Sequence, residues 1–313
     1  MEGDLLREQS AQEPDESPSF PRARHVTHEH LLGAIVAELS TRPRPATLRI
    51  LDAGCGEASF VQYLHESIPL LLPDWPFEVY GFDVGDHGVQ EEGFLESALQ
   101  RLASDHPHVD WQSRIRPTSV TEPWPFGDGQ FEAVVSNQVC EHVSDLEHFF
   151  AENARVLSPG GFGLHLFPLR SSILEGHVLI PFAHRIRDHD LSRWFLARLT
   201  NLGVGKFRQH ARQPLPVEQI AISHADYLHF FTSYHSWRDV VNAAKACGLR
   251  ASYRYTADLY VRKWNSLRGR PLQRAANRRH PVSESLAFHV LKYVSGVTLL
   301  LTKEQRYRDP RPA

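Results

Sequence analysis

The chain has 313 residues, 42% of them hydrophobic and 23% charged, with 34 Lys+Arg against 37 Asp+Glu and a formal net charge of -3. At roughly 100–200 residues per domain, that length predicts two ordinary domains or one domain with a large insertion, and the apolar share excludes wholesale disorder. No apolar run approaches the roughly 20 residues of a membrane-spanning helix, and the near-balanced charge argues against a general nucleic-acid binder.

Residues 1–24 combine Glu, Asp, Ser and Pro with few bulky apolar groups. They predict a disordered tail, and they lack the apolar core and cleavage site of a secretory signal. Order begins at Val26–Leu39, where Leu32, Ile35, Val36 and Leu39 share one helical face, and Arg42-Pro43-Arg44-Pro45 ends that helix. Strands and helices then alternate: strand Leu48–Leu51, helix Ser59–Ser67, strand Glu78–Phe82, helix Gly93–Ser104 and a weaker strand Val109–Ile115. Strand Phe131–Ser136, helix Leu146–Leu157 and strand Gly161–Phe167, entered through the turn Ser158-Pro159-Gly160, follow. Such alternation predicts an α/β, doubly wound, mostly parallel sheet with helices on both faces.

The regularity breaks from about Pro168 to Tyr234, which reads as an insertion (168–234) with helices of its own, including Arg193–Leu199. A helix at Ser236–Ala246, closed by Gly248, and strands at Leu249–Tyr255 and Ser295–Thr302 complete the pattern. Between them lies a basic segment, 262–279, with Arg262, Lys263, Arg268, Arg270, Arg274, Arg278 and Arg279 and no acid. It reads as a solvated basic face. The sharper alternatives are an anionic acceptor or an anionic membrane surface touched from outside. Cys55, Cys140 and Cys247 form no C-x-x-C pair, which fits reduced thiols and a cytoplasmic protein.

The most informative stretch is Asp52-Ala53-Gly54-Cys55-Gly56-Glu57-Ala58-Ser59, after a strand and before a helix. Glycines there let backbone approach a ligand, and the helix start offers unpaired N–H groups. A dinucleotide site would want glycine where Ser59 stands. The acid two residues before the first glycine suits a cationic amino-acid moiety, so the loop fits a nucleoside with a positive end and no diphosphate. Asp83 ends the second strand, where a carboxylate can accept both hydroxyls of a ribose.

Four stretches together resemble the class I S-adenosylmethionine-dependent methyltransferases, closest to the type 11/12 branch. They are Leu51 to Gly56, Asp83 after Val79-Tyr80-Gly81-Phe82, Pro125 to Ser136, and Arg155-Val156-Leu157-Ser158-Pro159-Gly160-Gly161. The resemblance spans about Leu48 to Phe167. It implies a seven-stranded Rossmann-like methyltransferase sheet with an inserted substrate or lid segment, and S-adenosyl-L-methionine as cofactor. By the same resemblance Asp52, Ala53, Gly54, Cys55 and Gly56 hold the methionine part, and Asp83 with Val84 holds the ribose. The strip Asn137–Gln138 passes under the methionine end. The family often carries an acid near the adenine where this chain has Ser119, so adenine contact would fall to that hydroxyl and the Val120 backbone.

Methyl transfer to a hydroxyl usually needs a base, and His142, just after that strip, is the candidate. The alternative is that Glu141-His142 merely opens the following helix and packs against the glycine loop. Cys140 reads as a small buried hydrophobe. His165, His177, His184, His189 and His210, with Glu175 nearby, invite a metal reading, but no H-x-x-x-H or H-E-x-x-H motif or paired cysteine supports it and no metal is expected. Glu175-Gly176-His177 is expected to line the acceptor pocket or form its lid. The expected activity is methyl transfer to a small molecule, lipid or glycan. Its rivals are a methyltransferase-like binding or regulatory protein without catalysis, a nicotinamide oxidoreductase disfavoured by Ser59, and an RNA methyltransferase acting through the basic segment. Oligomeric state is not legible.

Overall fold

The computed structural model describes residues 20–85, 93–205, 216–270 and 281–303. Its first helix, α1 (Val26–Leu39), has the predicted bounds, and β1 (Leu48–Ala53) follows. Alternate residues of β1 face opposite ways, as a strand's period of two requires: Leu48 and Ile50 join one core, Leu51 and Ala53 the other. Then come α2 (Ser59–Leu71), β2 (Phe77–Val84), α3 (Phe94–Asp105), the single turn α4 (Trp111–Arg114) and β3 (Ile115–Thr118). β4 (Phe131–Asn137), α5 (Leu146–Val156) and β5 (Leu157–Pro168) lead into the inserted segment, whose helices are α6 (His189–Asn201) and α7 (Val217–Phe230). α8 (Trp237–Ala246), β6 (Leu249–Ser252), α9 (Thr256–Leu267), α10 (Pro281–Leu291) and β7 (Gly296–Lys303) close the described chain.

The seven strands form one sheet in the order β3-β2-β1-β4-β5-β7-β6. β7 runs antiparallel to both its neighbours, and the other pairs are parallel. The doubly wound α/β sheet expected from the alternation is therefore present. The chain reverses direction of travel across the sheet between β1 and β4, and at that switch point the carboxyl ends of parallel strands leave a crevice. One core packs α1, α2 and α3 on a face of the sheet; the other packs α5, α8 and α10 on the opposite face. A third, smaller cluster (Val178, Ile180, Ala183, Leu196, Ala221, Ala225 and Leu228) joins α6 and α7, so the insertion has a core of its own.

Four local expectations change. Val109–Ile115 is not a strand: Asp110 accepts from Ser113 N at 3.3 Å and caps the turn that buries Trp111, so β3 starts only at Ile115. α9 and α10 are not among the expected elements, because Ala257, Leu259 and Phe288 are buried on faces that neighbouring Arg, Lys and His residues hide in the sequence. Arg262 does not belong to a solvated basic face. It is 3% exposed, donates to Glu29 O at 2.5 Å and lies 5.4 Å over the Phe20 ring. Burial pulls its guanidinium down to about 10. Finally, packing starts inside the expected tail: Phe20 is buried, and Pro21 O accepts from Tyr63 OH at 2.7 Å. Residues 1–19, His210, Arg274, Arg278 and Arg279 lie outside the described residues.

Candidate functional site

The tips of β1 and β2 stand side by side, with Asp52 paired to Gly81 and Ala53 to Phe82. That register brings the glycine loop over the end of β2. Gly54 N and Cys55 N both donate to Phe82 O at 2.9 Å. One residue on, Asp83 Oδ2 accepts from Gly56 N at 2.5 Å and Asp83 Oδ1 from Val84 N at 2.7 Å. The carboxylate thus shapes the loop, since each of its oxygens accepts from a backbone N–H. Gly54, Gly56 and Ala58 all take left-handed backbone (φ +78°, +51° and +55°), which turns the chain sharply into α2. A Cβ at Gly81 would press on the Cys55 side chain at 3.0 Å, so that side chain would have to give.

Above this loop opens a cavity of about 720 Å³, within the roughly 300–1,000 Å³ range of small-molecule sites. It brings together Asp52, Gly54, Cys55, Gly56, Asp83, Val84, Ser119, Val120, Asn137, Gln138 and His142. Of the residues singled out for cofactor and catalysis only Ala53, buried in the sheet, stays out of the wall. Several lining residues were not foreseen. His25, Thr27 and His28 come from the start of α1, and Phe230, Phe231 and Ser233 from the end of the insertion. Glu122, Trp124 and Phe149 add an acid and two aromatics. A His-rich run just before an apolar helix, His25 to His30, was the available signal for the first group.

Charge in the wall is one-sided. Asp52, Glu57, Asp83, Glu122 and Asp145 line it, and among the described residues no Lys or Arg does. Asp52 is 2% exposed; burial, and then the Asp83 charge, push its carboxyl well above the usual range. Burial likewise pushes the Cys55 thiol up, which leaves it a packing residue. Cys140 behaves the same way, fully buried with its thiol raised by desolvation. Asn137 Nδ2 donates to Thr27 Oγ1 at 3.3 Å, while its buried Oδ1 meets no donor among the described residues.

A second polar group stands beside His142. The ring of His142 lies 5.1 Å from that of His177, and His142 Nδ1 is 2.6 Å from Phe231 O, a carbonyl, so this nitrogen carries the proton and donates. His177 Nδ1 lies 2.7 Å from Glu175 Oε1, which also accepts from Tyr234 OH, while Glu175 Oε2 accepts from Val178 N at 2.6 Å. Burial pushes the Glu175 carboxyl up, but these bonds with the His177 charge outweigh it and hold the group down at about 2. Glu141 is completely buried, and among the described residues neither of its oxygens meets a hydrogen-bond donor from another residue. Burial pushes its carboxyl up to about 8, against its own backbone N–H and with help from Glu175.

Glu175 and His177 therefore do not line the cavity as expected; they sit behind His142 and brace it. Nor does Glu141-His142 open α5, whose N-cap is Asp145, accepting from His148 N at 2.9 Å. The other histidines scatter. His165 belongs to β5, fully buried, its Nε2 accepting from Asn153 Nδ2 and its Nδ1 bonded to Ser136 Oγ, both at 2.8 Å. His189 pairs with Asp226 at 2.7 Å, and His184 Nε2 reaches Arg170 O at 3.3 Å.

Comparison with known proteins bears on the same stretch. A family profile described as "Methyltransferase domain" matches residues 51–164. A "Probable S-adenosylmethionine-dependent methyltransferase" of Mycolicibacterium smegmatis is 31% identical over 138 residues, 44% of this chain and 45% of that protein. A ubiquinone/menaquinone biosynthesis C-methyltransferase of Desulfotalea psychrophila is 30% identical over 117 residues, 37% of this chain and 40% of that protein. The chain thus spans less than half the length of these relatives. Among solved structures, an S-adenosylmethionine-dependent methyltransferase from Mesorhizobium loti superposes with a TM-score of 0.45 at 15% identity, covering 86% of this chain and 97% of that one. Over residues 51–164 this chain is thus similar to methyltransferase domains.

Proposed function

We propose that the chain binds S-adenosyl-L-methionine in the cavity above the glycine loop and transfers its methyl group to an uncharged or cationic small molecule, lipid or glycan. The observation that carries this is the charge of the wall: five carboxylates and no described Lys or Arg, beside a loop where a Cβ at Gly54 would fall 2.6 Å from Val139. A ligand with a positive end offsets the repulsion between Asp52 and Asp83, whereas a diphosphate would add to it. The cofactor would supply an already activated methyl group on a sulfonium, so the protein's own task would be alignment and exclusion of water.

Residues divide that task by position. Asp52 and the Gly54–Gly56 backbone would face the amino-acid end. Asp83 would accept from the ribose, and Ser119 with the Val120 backbone would face the adenine. Asn137 Oδ1, buried and open to a donor, and Gln138 would hold the methionine end. Phe230 and Phe231, delivered by the insertion, would cover the acceptor and keep water out. His142 has its Nδ1 proton tied to Phe231 O, so Nε2 is the nitrogen able to take a proton from a hydroxyl acceptor. The aromatic, acidic wall argues against a phosphorylated acceptor, and nothing in it favours an RNA backbone.

Calorimetric titration with S-adenosylhomocysteine tests the reading. One site per chain is expected, weakened roughly tenfold or more by Asp83→Asn, which removes one charge-assisted acceptor, on the order of 1.4 kcal/mol or above. Absence of binding to the folded wild-type chain, or unchanged affinity in the Asp83→Asn chain, refutes it.

A further inference from the structure

Glu141, His142 and His177 each offer one donor atom, and these atoms lie within 4.8 Å of one another. We infer that they form a binding site for a single divalent first-row transition-metal ion of borderline character, zinc being the representative case. Three features of the chain converge on it. First, Glu141 is completely buried, and neither of its oxygens meets a donor from another described residue, although it points into a group of two imidazoles. A buried carboxylate without a partner is costly, and a cation is the partner that two neighbouring nitrogens can share.

Second, both imidazoles are prepared as ligands. His142 donates Nδ1–H to Phe231 O, and His177 donates Nδ1–H to Glu175 Oε1, so each tautomer places its lone pair on Nε2. A histidine that donates its other N–H to a carboxylate or a backbone carbonyl is the usual support of a metal ligand. Tyr234 OH and Val178 N fix Glu175 in turn, so the support is itself supported. Third, the donor set is two imidazoles and one carboxylate, which suits zinc or ferrous iron better than magnesium or calcium. His177 is among the histidines that invite a metal reading in the sequence, but no motif marks the site, because its partners Glu141 and His142 lie on the strip after β4, ending 35 residues before it.

His142 also lines the cavity, so the site lies at its edge. Its role in the reaction rests on the methyl-transfer reading above. A lone pair given to the ion is not available for a proton. In the loaded protein the ion would lower the pKa of an acceptor hydroxyl bound to it, whose proton would then leave to water rather than to His142.

The test uses the full chain, treated with a chelator, dialysed and titrated with zinc chloride alone, then with magnesium chloride. One zinc site per chain is expected, with magnesium much weaker. His177→Asn and Glu141→Gln should each weaken zinc by roughly 100-fold, and Glu175→Gln, which only loosens the support, by roughly 10- to 100-fold. His189→Asn, which alters a histidine–carboxylate pair elsewhere in the insertion, should leave zinc binding as it was. Urea unfolding of each variant, with S-adenosylhomocysteine titration, separates loss of the site from loss of the fold. No zinc binding by the wild-type chain overturns the inference, as does equal binding in the folded His177→Asn chain. Binding of S-adenosylhomocysteine without zinc binding would overturn this inference alone; zinc binding without the nucleoside would overturn the proposed function and leave the metal site standing.

Discussion

Replacing Gly54 by alanine isolates the close approach on which the cavity depends. Gly54 has φ +78°, and a Cβ there would fall 2.6 Å from Val139 Cγ2 and 3.0 Å from Val139 Cγ1. The left-handed backbone costs an alanine roughly 1–2 kcal/mol. The clash adds an overpacking cost of roughly 1–3 kcal/mol, because a valine has one strongly preferred χ1 and yields poorly. Gly93 provides the control: its φ is +79°, and a Cβ there meets nothing within 4 Å. Gly93→Ala should therefore cost about 1–2 kcal/mol in urea unfolding and Gly54→Ala roughly 2–5 kcal/mol. The difference between them is the clash alone. Val139 lines the cavity, so Gly54→Ala should also weaken S-adenosylhomocysteine, and pairing it with Val139→Ala should recover stability relative to the sum of the single changes. Equal costs for the two alanines, or no recovery in the pair, would refute the idea that the loop and the strip after β4 are in contact.

Two further outcomes concern the scaffold. Glu38, 1% exposed, accepts from Arg42 Nη2 at 2.8 Å, Arg254 Nη1 at 2.9 Å and Tyr255 OH at 2.7 Å, tying α1 to the segment after β6. Glu38→Ala should cost about 3 kcal/mol in urea unfolding, the lower part of the range for a broken buried ion pair, because both arginines can still reach water. Buried histidines should make the fold acid-sensitive. Burial lowers His28 to about 4 and His165 to about 3, from an ordinary 6.5. Folding favours the neutral rings, so their contribution is complete above pH 6.5 and is lost as pH falls, through about 4 for His28 and about 3 for His165. Each should add about 1.4 kcal/mol per pH unit to the slope within its window. A His165→Gln chain with the wild-type slope between pH 6 and 4 would contradict this.

The sheet was legible because its signals are local. The run Leu48 to Ala53 carries buried apolar residues on both faces, as a strand between two helical layers does, and the loop that follows has glycines where the backbone turns left-handed. Asp83 was equally legible, an acid directly after the run Val79 to Phe82, although β2 continues through it to Val84. What stayed hidden depends on distant packing. Nothing local says that Phe20 lies under Arg262, or that Thr27 meets Asn137 across 110 residues. Arg262 reads as surface because charge is the default sign of exposure; it is buried because Phe20, Glu29 O and the bare backbone of Gly33 leave it a slot. The expected strand at Val109–Ile115 failed for a different reason, since a single capping carboxylate, Asp110, outweighed a short apolar alternation.

The two halves of the site share one electrostatic arrangement. At the tips of β1 and β2, Asp52 and Asp83 are buried close enough that each opposes the other's charge. Across the cavity, Glu141 and Glu175 stand in the same relation, one on the strip after β4 and the other in the insertion. Folding two such pairs is unfavourable unless something positive is near, and hydrogen bonds account for only part of the compensation. Asp83 and Glu175 each accept from backbone N–H groups, whereas the Glu141 carboxylate accepts from no other described residue. The partly compensated pair lies over the glycine loop, where the proposed nucleoside would enter and leave. The uncompensated carboxylate lies beside two imidazoles, where the proposed ion would be held. The two proposed cation sites thus differ in how completely the protein satisfies each carboxylate on its own.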